Sequence, residues 1–327
     1  MNESETVSGN VDRNRRRALI GRRALIGMAG PLALLAVMAY ELVHHGGAIG
    51  NAAAGTSAAT LVAVTLLALA TLLARSEAAV ACLTAMGNRA SRLDIHPASA
   101  AAFVVSMLNH YLASPVRATV LKRLDRGRAP TIPQMIMVDA STYLIEGMLA
   151  AVLIVVSASA LKLQWWMPVL AVLGAVAALI VALAMRRRFE RFLAFRGLEM
   201  LAHSRQRLVV LMLCLLIFAG QIGRTLLVLR ATGLHPSVLQ AAATFVAGGV
   251  LSAFLAGPAA GTAGAPLIIF GHRSIAAAVA AGLILSITAL LAAALYALIC
   301  APVVVWRLRH REPAPPAPAP TLSPPRP

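Results

Sequence analysis

Long runs of apolar residues recur along the chain and predict helices that cross a membrane. The hydrocarbon core of a bilayer is about 30 Å thick, so a spanning helix needs about 20 residues that are mostly apolar and uncharged. The runs that satisfy this requirement lie at approximately 24–43, 52–74, 133–160, 168–185, 208–230 and 274–306. We therefore predict an all-α fold, a polytopic transmembrane helical bundle with about six full spans.

Two further apolar segments, approximately 96–115 and 238–270, are interrupted by proline, glycine or polar residues. Basic clusters lie on both sides of the first segment, and such clusters mark the cytoplasmic side of a membrane. Because its two ends belong on the same side, we predict that 96–115 is a re-entrant hairpin. With six spans and both termini inside, 238–270 then re-enters from the outer face. Two broken segments from opposite faces are typical of inverted repeats in transporters. The alternative is that 238–270 is an ordinary span followed by the start of the next.

The positions of the basic residues predict the orientation of the chain. Six arginines lie between residues 13 and 23, whereas the loop 44–51 after the first run has no Lys or Arg. We therefore predict that both termini are cytoplasmic in a multi-pass protein of the cell (inner/cytoplasmic) membrane. This orientation puts Trp165 and Trp166 in an outer loop, where tryptophan anchors a helix at the interface.

Composition supports the same interpretation. The chain is 59% hydrophobic and only 13% charged, with a mean hydropathy of +0.80, whereas soluble domains are about 45–50% apolar and about 25% charged. The net charge of +17 sits in short loops beside apolar runs, so we expect anionic lipid headgroups and no nucleic acid as its partner. The predicted organisation is a basic N-terminal segment (1–23), one integral membrane domain (24–306) and a Pro-rich disordered tail (307–327).

Ionisable residues inside apolar runs are candidate functional groups, because charge at membrane depth is costly. Asp139 and Glu146 are seven residues apart and share one helical face, and Arg224 lies in the run 208–230. We expect Glu146 and Arg224 to pair at mid-depth and to bind a lipid headgroup, and a purely structural ion pair is the alternative. Asp139, nearer the cytoplasm, is placed to contact Lys122 or Arg123.

The two broken segments supply the other candidate binding residues. In the stretch 109–117, Asn109 and Arg117 provide polar groups near a proline, so the turn is suited to a lipid phosphate; a helix break with Arg117 extended to the interface is the alternative. In the stretch 257–266, Pro258, Gly261 and Gly264 belong to ten residues without a large side chain. Such a stretch allows close helix approach or an unwound backbone that lines a cavity.

The sequence has no enzyme signature. The histidines are scattered and the three cysteines stand alone in apolar stretches, so we predict no metal and no cofactor. No serine-hydrolase, metalloprotease or phosphotransferase pattern occurs, and we expect the protein not to be an enzyme. A membrane enzyme that uses Asp139 and Glu146 is the open alternative.

Several short elements resemble one family of integral membrane proteins. They are Asn109, Pro115, Arg117, the basic loop 122–128 and Asp139, followed by Pro258, Gly261, Gly264 and the alanine-rich run 276–281. Over roughly residues 24–306 the chain resembles the transmembrane region of lysylphosphatidylglycerol synthases, which is regarded as a lipid flippase. The resemblance implies a stand-alone member, without the synthase domain, that moves lipids such as polyprenyl-linked or hopanoid lipids.

The sequence thus predicts a membrane protein that binds and translocates a lipid or lipid-like amphiphile, here called a flippase-like function. Membrane lipids are its expected ligands. The competing hypothesis is a non-transporting membrane scaffold that docks a lipid-biosynthesis enzyme through its basic loops, particularly residues 186–207.

Overall fold

The structure is a computed structural model and describes residues 40, 43–44, 46–88, 90–124, 129–158, 164–188, 203–254, 258–271 and 274–309. In this part of the chain every regular element is helical, as the all-α prediction requires. The α-helices are α1 (Ala58–Ala85), α2 (Arg92–Leu108), α3 (Ala113–Leu124), α4 (Ile132–Ser157), α5 (Trp166–Arg188), α6 (Ser204–Ala231), α7 (Val238–Phe254), α8 (Pro258–Phe270) and α9 (Ile275–Arg309). A 3-10 turn, His110–Leu112, joins α2 to α3.

Five of the described helices are long and apolar enough to cross a membrane, namely α1, α4, α5, α6 and α9. They correspond to five of the six predicted spans, and the chain is a membrane protein of the helical type. The sixth predicted span, 24–43, lies outside the described residues apart from isolated positions at its end. The predicted segments 1–23 and most of 307–327 also lie outside them.

The first described span shows where the predicted boundaries were wrong. The expected run 52–74 ended at the first charge, Arg75, but α1 begins at Ala58 and continues to Ala85. The Ser57 hydroxyl accepts a hydrogen bond from the backbone N–H of Thr60, which caps the start of the helix. The helix continues past Arg75 because that side chain has a partner inside the bundle, described below.

The first broken segment is a helical hairpin that is longer than predicted. Helices α2 and α3 pack against each other, so the polar stretch expected at the end of the segment lies instead at the apex of the hairpin. There the Asn109 side-chain oxygen accepts from the backbone N–H of Tyr111, at 2.9 Å. Pro115 occupies the first turn of α3, where its missing N–H is not needed.

The second broken segment also consists of two helices, α7 and α8, which pack against each other. At 17 and 13 residues, each is shorter than a typical membrane span. A Cβ atom on Gly261 would lie 2.5 Å from the carbonyl oxygen of Gly248, and one on Gly282 of α9 would lie 2.9 Å from the carbonyl carbon of Ala263. Of the two predicted uses of this stretch, close helix approach therefore applies to its described residues.

The helices pack around two main apolar clusters. One joins α1, α2, α3, α4 and α6 and includes Leu83, Leu121 and Met135. The other joins α1 and α6 to α7, α8 and α9 and includes Val64 and Phe270. Helix α5 contacts α4 but buries none of its apolar window inside the bundle. Its apolar surface is therefore available to lipid, and Trp165 and Trp166 at its start are exposed, as an interfacial anchor requires.

Candidate functional site

Asp139 on α4 is held by two side chains of the hairpin helix α3. Arg117 donates to one carboxylate oxygen at 2.5 Å, and the Ser114 hydroxyl donates to the other at 2.5 Å. The Arg117 side chain is only 5% exposed, and its guanidinium lies 5.7 Å from the ring centre of Phe103 on α2. The expected contact of Asp139 with Lys122 or Arg123 is therefore wrong. Arg117 is its partner and fastens the hairpin to α4.

Glu146 is paired with Arg75 of α1, and its expected pairing with Arg224 is wrong. The two guanidinium nitrogens of Arg75 contact the two carboxylate oxygens at 2.9 and 3.1 Å, the paired geometry that suits arginine and carboxylate. Asp139 and Glu146 thus lie two turns apart on α4. Each is neutralised by an arginine from a different helix, α3 or α1. Between the two pairs, the thiol of Cys82 on α1 lies 3.9 Å from the hydroxyl of Thr142 on α4.

Arg224 is buried without a carboxylate. Only 3% of the residue is exposed, and no described Asp or Glu forms an ion pair with it. Its terminal nitrogens donate to Gln221 at 3.2 Å, to Thr288 at 3.1 Å and to the backbone carbonyl of Leu285. Its Nε has no partner among the described groups. All of these acceptors are neutral, so the positive charge of Arg224 is hydrogen-bonded within the protein but is not neutralised by an anion.

Three separate groups of polar side chains follow one another through the bundle: the Arg117 pair, the Arg75 pair and the neutral partners of Arg224. Gln221 donates to the hydroxyl of Thr71 at 3.1 Å, and Thr71 lies one helical turn before Arg75 on α1. We name this series the polar file, and its members are Ser114, Arg117, Asp139, Glu146, Arg75, Thr71, Gln221, Arg224 and Thr288. It connects helices α3, α4, α1, α6 and α9.

The polar file covers about the middle half of the length of the bundle. At 1.5 Å per residue, Asp139 is about 10 Å and Glu146 about 21 Å from the first residue of α4. Helices α1 and α4 run antiparallel, since Cys82 meets Thr142 while Arg75 meets Glu146. Continuing in the same direction, Arg224 lies about 10 Å before the last residue of α6. The file therefore places charged or polar groups at successive depths of a predominantly apolar bundle.

The other predicted site residues lie outside the polar file. Asn109 is at the apex of the α2–α3 hairpin, and its side chain caps the turn. Gly261 and Gly264 are buried in α8, and Gly261 faces α7. Pro258 is the first residue of α8. The structure thus brings Asp139 and Arg117 together, places Glu146 and Arg224 in the same file with other partners, and leaves the second hairpin as a packing element.

Sequence reasoning missed Arg75, although a signal was present. Arg75 is a charged residue inside a helix that is otherwise apolar, the same feature that identified Glu146 and Arg224. The predicted span 52–74 ends immediately before it. Thr71, Gln221 and Thr288 had no comparable signal, because uncharged polar residues are common in membrane helices. Gln221 lies one turn before Arg224 on α6, whereas only packing between helices brings Thr288 to Arg224 and Thr71 to Gln221.

Comparisons with known proteins add no further constraint. No protein-family model, no curated protein and no solved structure matches the chain. Within the described ranges, no three His, Cys, Asp or Glu side chains lie close enough together to hold a metal ion. The site is thus defined by its own geometry: two arginine–carboxylate pairs and one unneutralised arginine inside a helical membrane protein.

Proposed function

We propose that this protein binds a lipid or lipid-like amphiphile with an anionic headgroup and translocates it across the bilayer. The observation that carries the proposal is Arg224, a buried cation at membrane depth whose described partners are all neutral. Ionisable groups are retained inside membrane helices mainly where they serve a substrate or ion pathway. A headgroup phosphate would supply the charge that Arg224 lacks.

The two ion pairs extend this site toward the other end of the bundle. Arg75 and Arg117 are geometrically suited to phosphate as well as to carboxylate, because their planar donors bind either group through paired hydrogen bonds. An anionic headgroup would first displace Asp139 from Arg117 and then displace Glu146 from Arg75. At Arg224 it would find no carboxylate that has to be displaced. Each exchange keeps Arg117 and Arg75 paired with an anion, which limits the cost of their buried charge.

An amphiphile fits this path better than a small soluble ion, because two of its charged side chains are partly exposed midway along α4. The side chains of Arg75 and Glu146 are 25% and 13% exposed at a depth of about 20 Å along α4. A lipid approaching in the plane of the bilayer would insert its headgroup there while its chains stay against the apolar helix surfaces. Movement of the α2–α3 hairpin, which Arg117 fastens to α4, would widen the opening.

The proposal includes a topology. The α2–α3 and α7–α8 hairpins re-enter from the cytoplasmic and outer faces of the cell membrane respectively, and both termini are cytoplasmic. With this topology, the resemblance to the stand-alone transmembrane region of lysylphosphatidylglycerol synthases remains our hypothesis about ancestry and substrate class.

The test is the movement of labelled lipids across liposomes that contain the purified protein. The panel includes phosphatidylglycerol, phosphatidylethanolamine and a polyprenyl phosphate. We expect Arg224→Gln to slow the movement of the anionic lipids about tenfold, because one hydrogen-bonded charge contributes about 1.5–3 kcal/mol. The matched control is Arg230→Gln, which removes an exposed arginine from the same helix and should leave the rate within about twofold.

Two outcomes would contradict the proposal. If the unaltered protein moves none of these lipids faster than empty liposomes do, a lipid carrier is excluded for them, and the scaffold hypothesis gains weight. If Arg224→Gln and Arg230→Gln have the same effect on rate, Arg224 is not the headgroup site.

A further inference from the structure

A second polar network joins α1, α2 and α9, and it shares no residue with the polar file. At its centre is His96, whose Nδ1 lies 2.6 Å from the hydroxyl oxygen of Tyr296 and whose Nε2 lies 3.0 Å from a carboxylate oxygen of Glu77. The Tyr296 hydroxyl donates to Ser76 at 2.8 Å. Arg92 lies 3.2 Å from the other oxygen of Glu77.

The hydrogens of this network can be assigned one by one. The Ser76 hydroxyl donates to the backbone carbonyl of Leu72 at 3.1 Å, so its oxygen accepts from Tyr296. A tyrosine has one hydroxyl hydrogen, and with that hydrogen committed to Ser76 its oxygen must accept from Nδ1 of His96. Both ring nitrogens of His96 therefore face acceptors, whereas a neutral imidazole has a single N–H. The arrangement requires one additional proton.

The contacts of Glu77 indicate where that proton lies. One carboxylate oxygen is in ion-pair contact with Arg92 at 3.2 Å and the other is 3.0 Å from Nε2 of His96, so we place the additional proton on His96 rather than on Glu77. Without it, Tyr296 would donate its hydroxyl hydrogen to Nδ1 instead of to Ser76. Either the bond between Tyr296 and Ser76 or the bond from Ser76 to Leu72 would then be lost. Ser76 and Tyr296 are 0% and 1% exposed, which makes an unmade hydrogen bond costly.

The charged and titratable groups that surround the network have partners of their own. On α3, Arg117 is engaged with Asp139. At the first turn of α2 and the last turns of α9, Asp94 is paired with Arg307 at 3.1 Å. Cys300 lies one turn beyond Tyr296 on α9 and is buried, and the described part of α8 has no titratable side chain. Glu77 is therefore the anion that directly faces the imidazole.

We propose that His96 and Glu77 form a proton-binding site and that the bound proton fastens the start of the α2–α3 hairpin to α1 and α9. The protonated state joins three helices through hydrogen bonds that the deprotonated state cannot all retain. Because a histidine ring can gain or lose this proton, the contact among the three helices responds to pH. Release of the proton would loosen the contact of the α2–α3 hairpin with α1 and α9. Lipid movement would then depend on pH, a consequence that rests on the proposed function.

Two measurements on the same purified protein test the proton site independently of transport. The first is nitrogen NMR of protein with labelled histidine, with His96 assigned by its absence in His96→Gln. The second is the distance between spin labels attached after Leu93→Cys on α2 and Leu298→Cys on α9. Both of these positions are exposed, and the three native cysteines are buried and so protected from the label.

We expect His96 to carry protons on both nitrogens at low pH and the label distances to broaden at the pH at which one of them is lost. Glu77→Gln should move both the proton loss and the change in label distance to lower pH, because it removes the opposite charge beside the imidazole. In His96→Gln the distances should no longer change with pH. The matched control, His235→Gln, removes an exposed histidine between α6 and α7. It should change neither the pH at which His96 loses its proton nor the pH at which the label distances broaden.

Two results would overturn the proposal. One is a His96 ring that keeps an unprotonated nitrogen throughout the pH range. The other is a proton that leaves His96 without any change in the label distances. Neither result depends on lipid movement, so failure of the proton site and failure of the proposed function are separable.

Discussion

Replacing Asp139 with asparagine is expected to lower the free energy of unfolding by about 3–5 kcal/mol, the usual cost of breaking a buried ion pair at one partner. The cost arises at Arg117, which is 5% exposed and would lose its anion while it remains between α3 and α4. Asparagine keeps an oxygen that can accept from Ser114, so most of the loss is electrostatic. The measurement is reversible unfolding of the purified protein in micelles or bicelles.

A double variant separates the charge effect from a loss of packing. When Arg117→Gln accompanies Asp139→Asn, no buried charge is left unpaired, and we expect most of the lost stability to return. The control is Arg92→Gln, which removes an arginine that is 71% exposed from its ion pair with Glu77 and should cost less than about 1 kcal/mol. If Asp139→Asn costs no more than Arg92→Gln, the pair does not stabilise the hairpin.

The same double variant also tests the proposed path. If it folds but moves lipid no faster than empty liposomes, Asp139 and Arg117 contribute to translocation as well as to stability. If it folds and moves lipid at the rate of the unaltered protein, the pair is purely structural, and the headgroup path does not include it.

Replacing Gly261 with alanine is expected to destabilise the protein by about 1–3 kcal/mol, the cost of overpacking a well-packed interface. The added Cβ would lie 2.5 Å from the carbonyl oxygen of Gly248 and 2.6 Å from the backbone nitrogen of Ser252. Both are backbone atoms of α7, so they can be relieved only by separating the two helices of the hairpin. The change should therefore also reduce any lipid movement that depends on the α7–α8 hairpin.

Gly249 provides the matched control for this prediction. It lies on α7 next to Gly248, and a Cβ there would meet no atom within 4 Å. Because alanine is the better helix former by about 1 kcal/mol, Gly249→Ala should leave stability unchanged or raise it. Equal effects of Gly249→Ala and Gly261→Ala would show that close approach of α7 and α8 is not what requires glycine.

Some of these features follow from the sequence without a structure. Apolar runs of about 20 residues must become helices in a bilayer, because no water is present to satisfy the backbone. This rule correctly predicted the all-α class and the approximate positions of α4, α5, α6 and α9. It also identified Asp139, Glu146 and Arg224 as unusual, since a charge inside such a run is unusual wherever the neighbouring helices lie.

The partners of those charges were decided only by the tertiary structure. Glu146 pairs with Arg75 rather than Arg224, because α1 and not α6 presents an arginine at the level of Glu146. The depth of a residue along its own helix is a local property that the sequence determines. Which helix faces it depends on packing between segments far apart in the chain, here 71 residues for Arg75 and Glu146. For the same physical reason, the sequence alone identified a buried arginine at position 224, and only the fold showed that its surroundings are neutral.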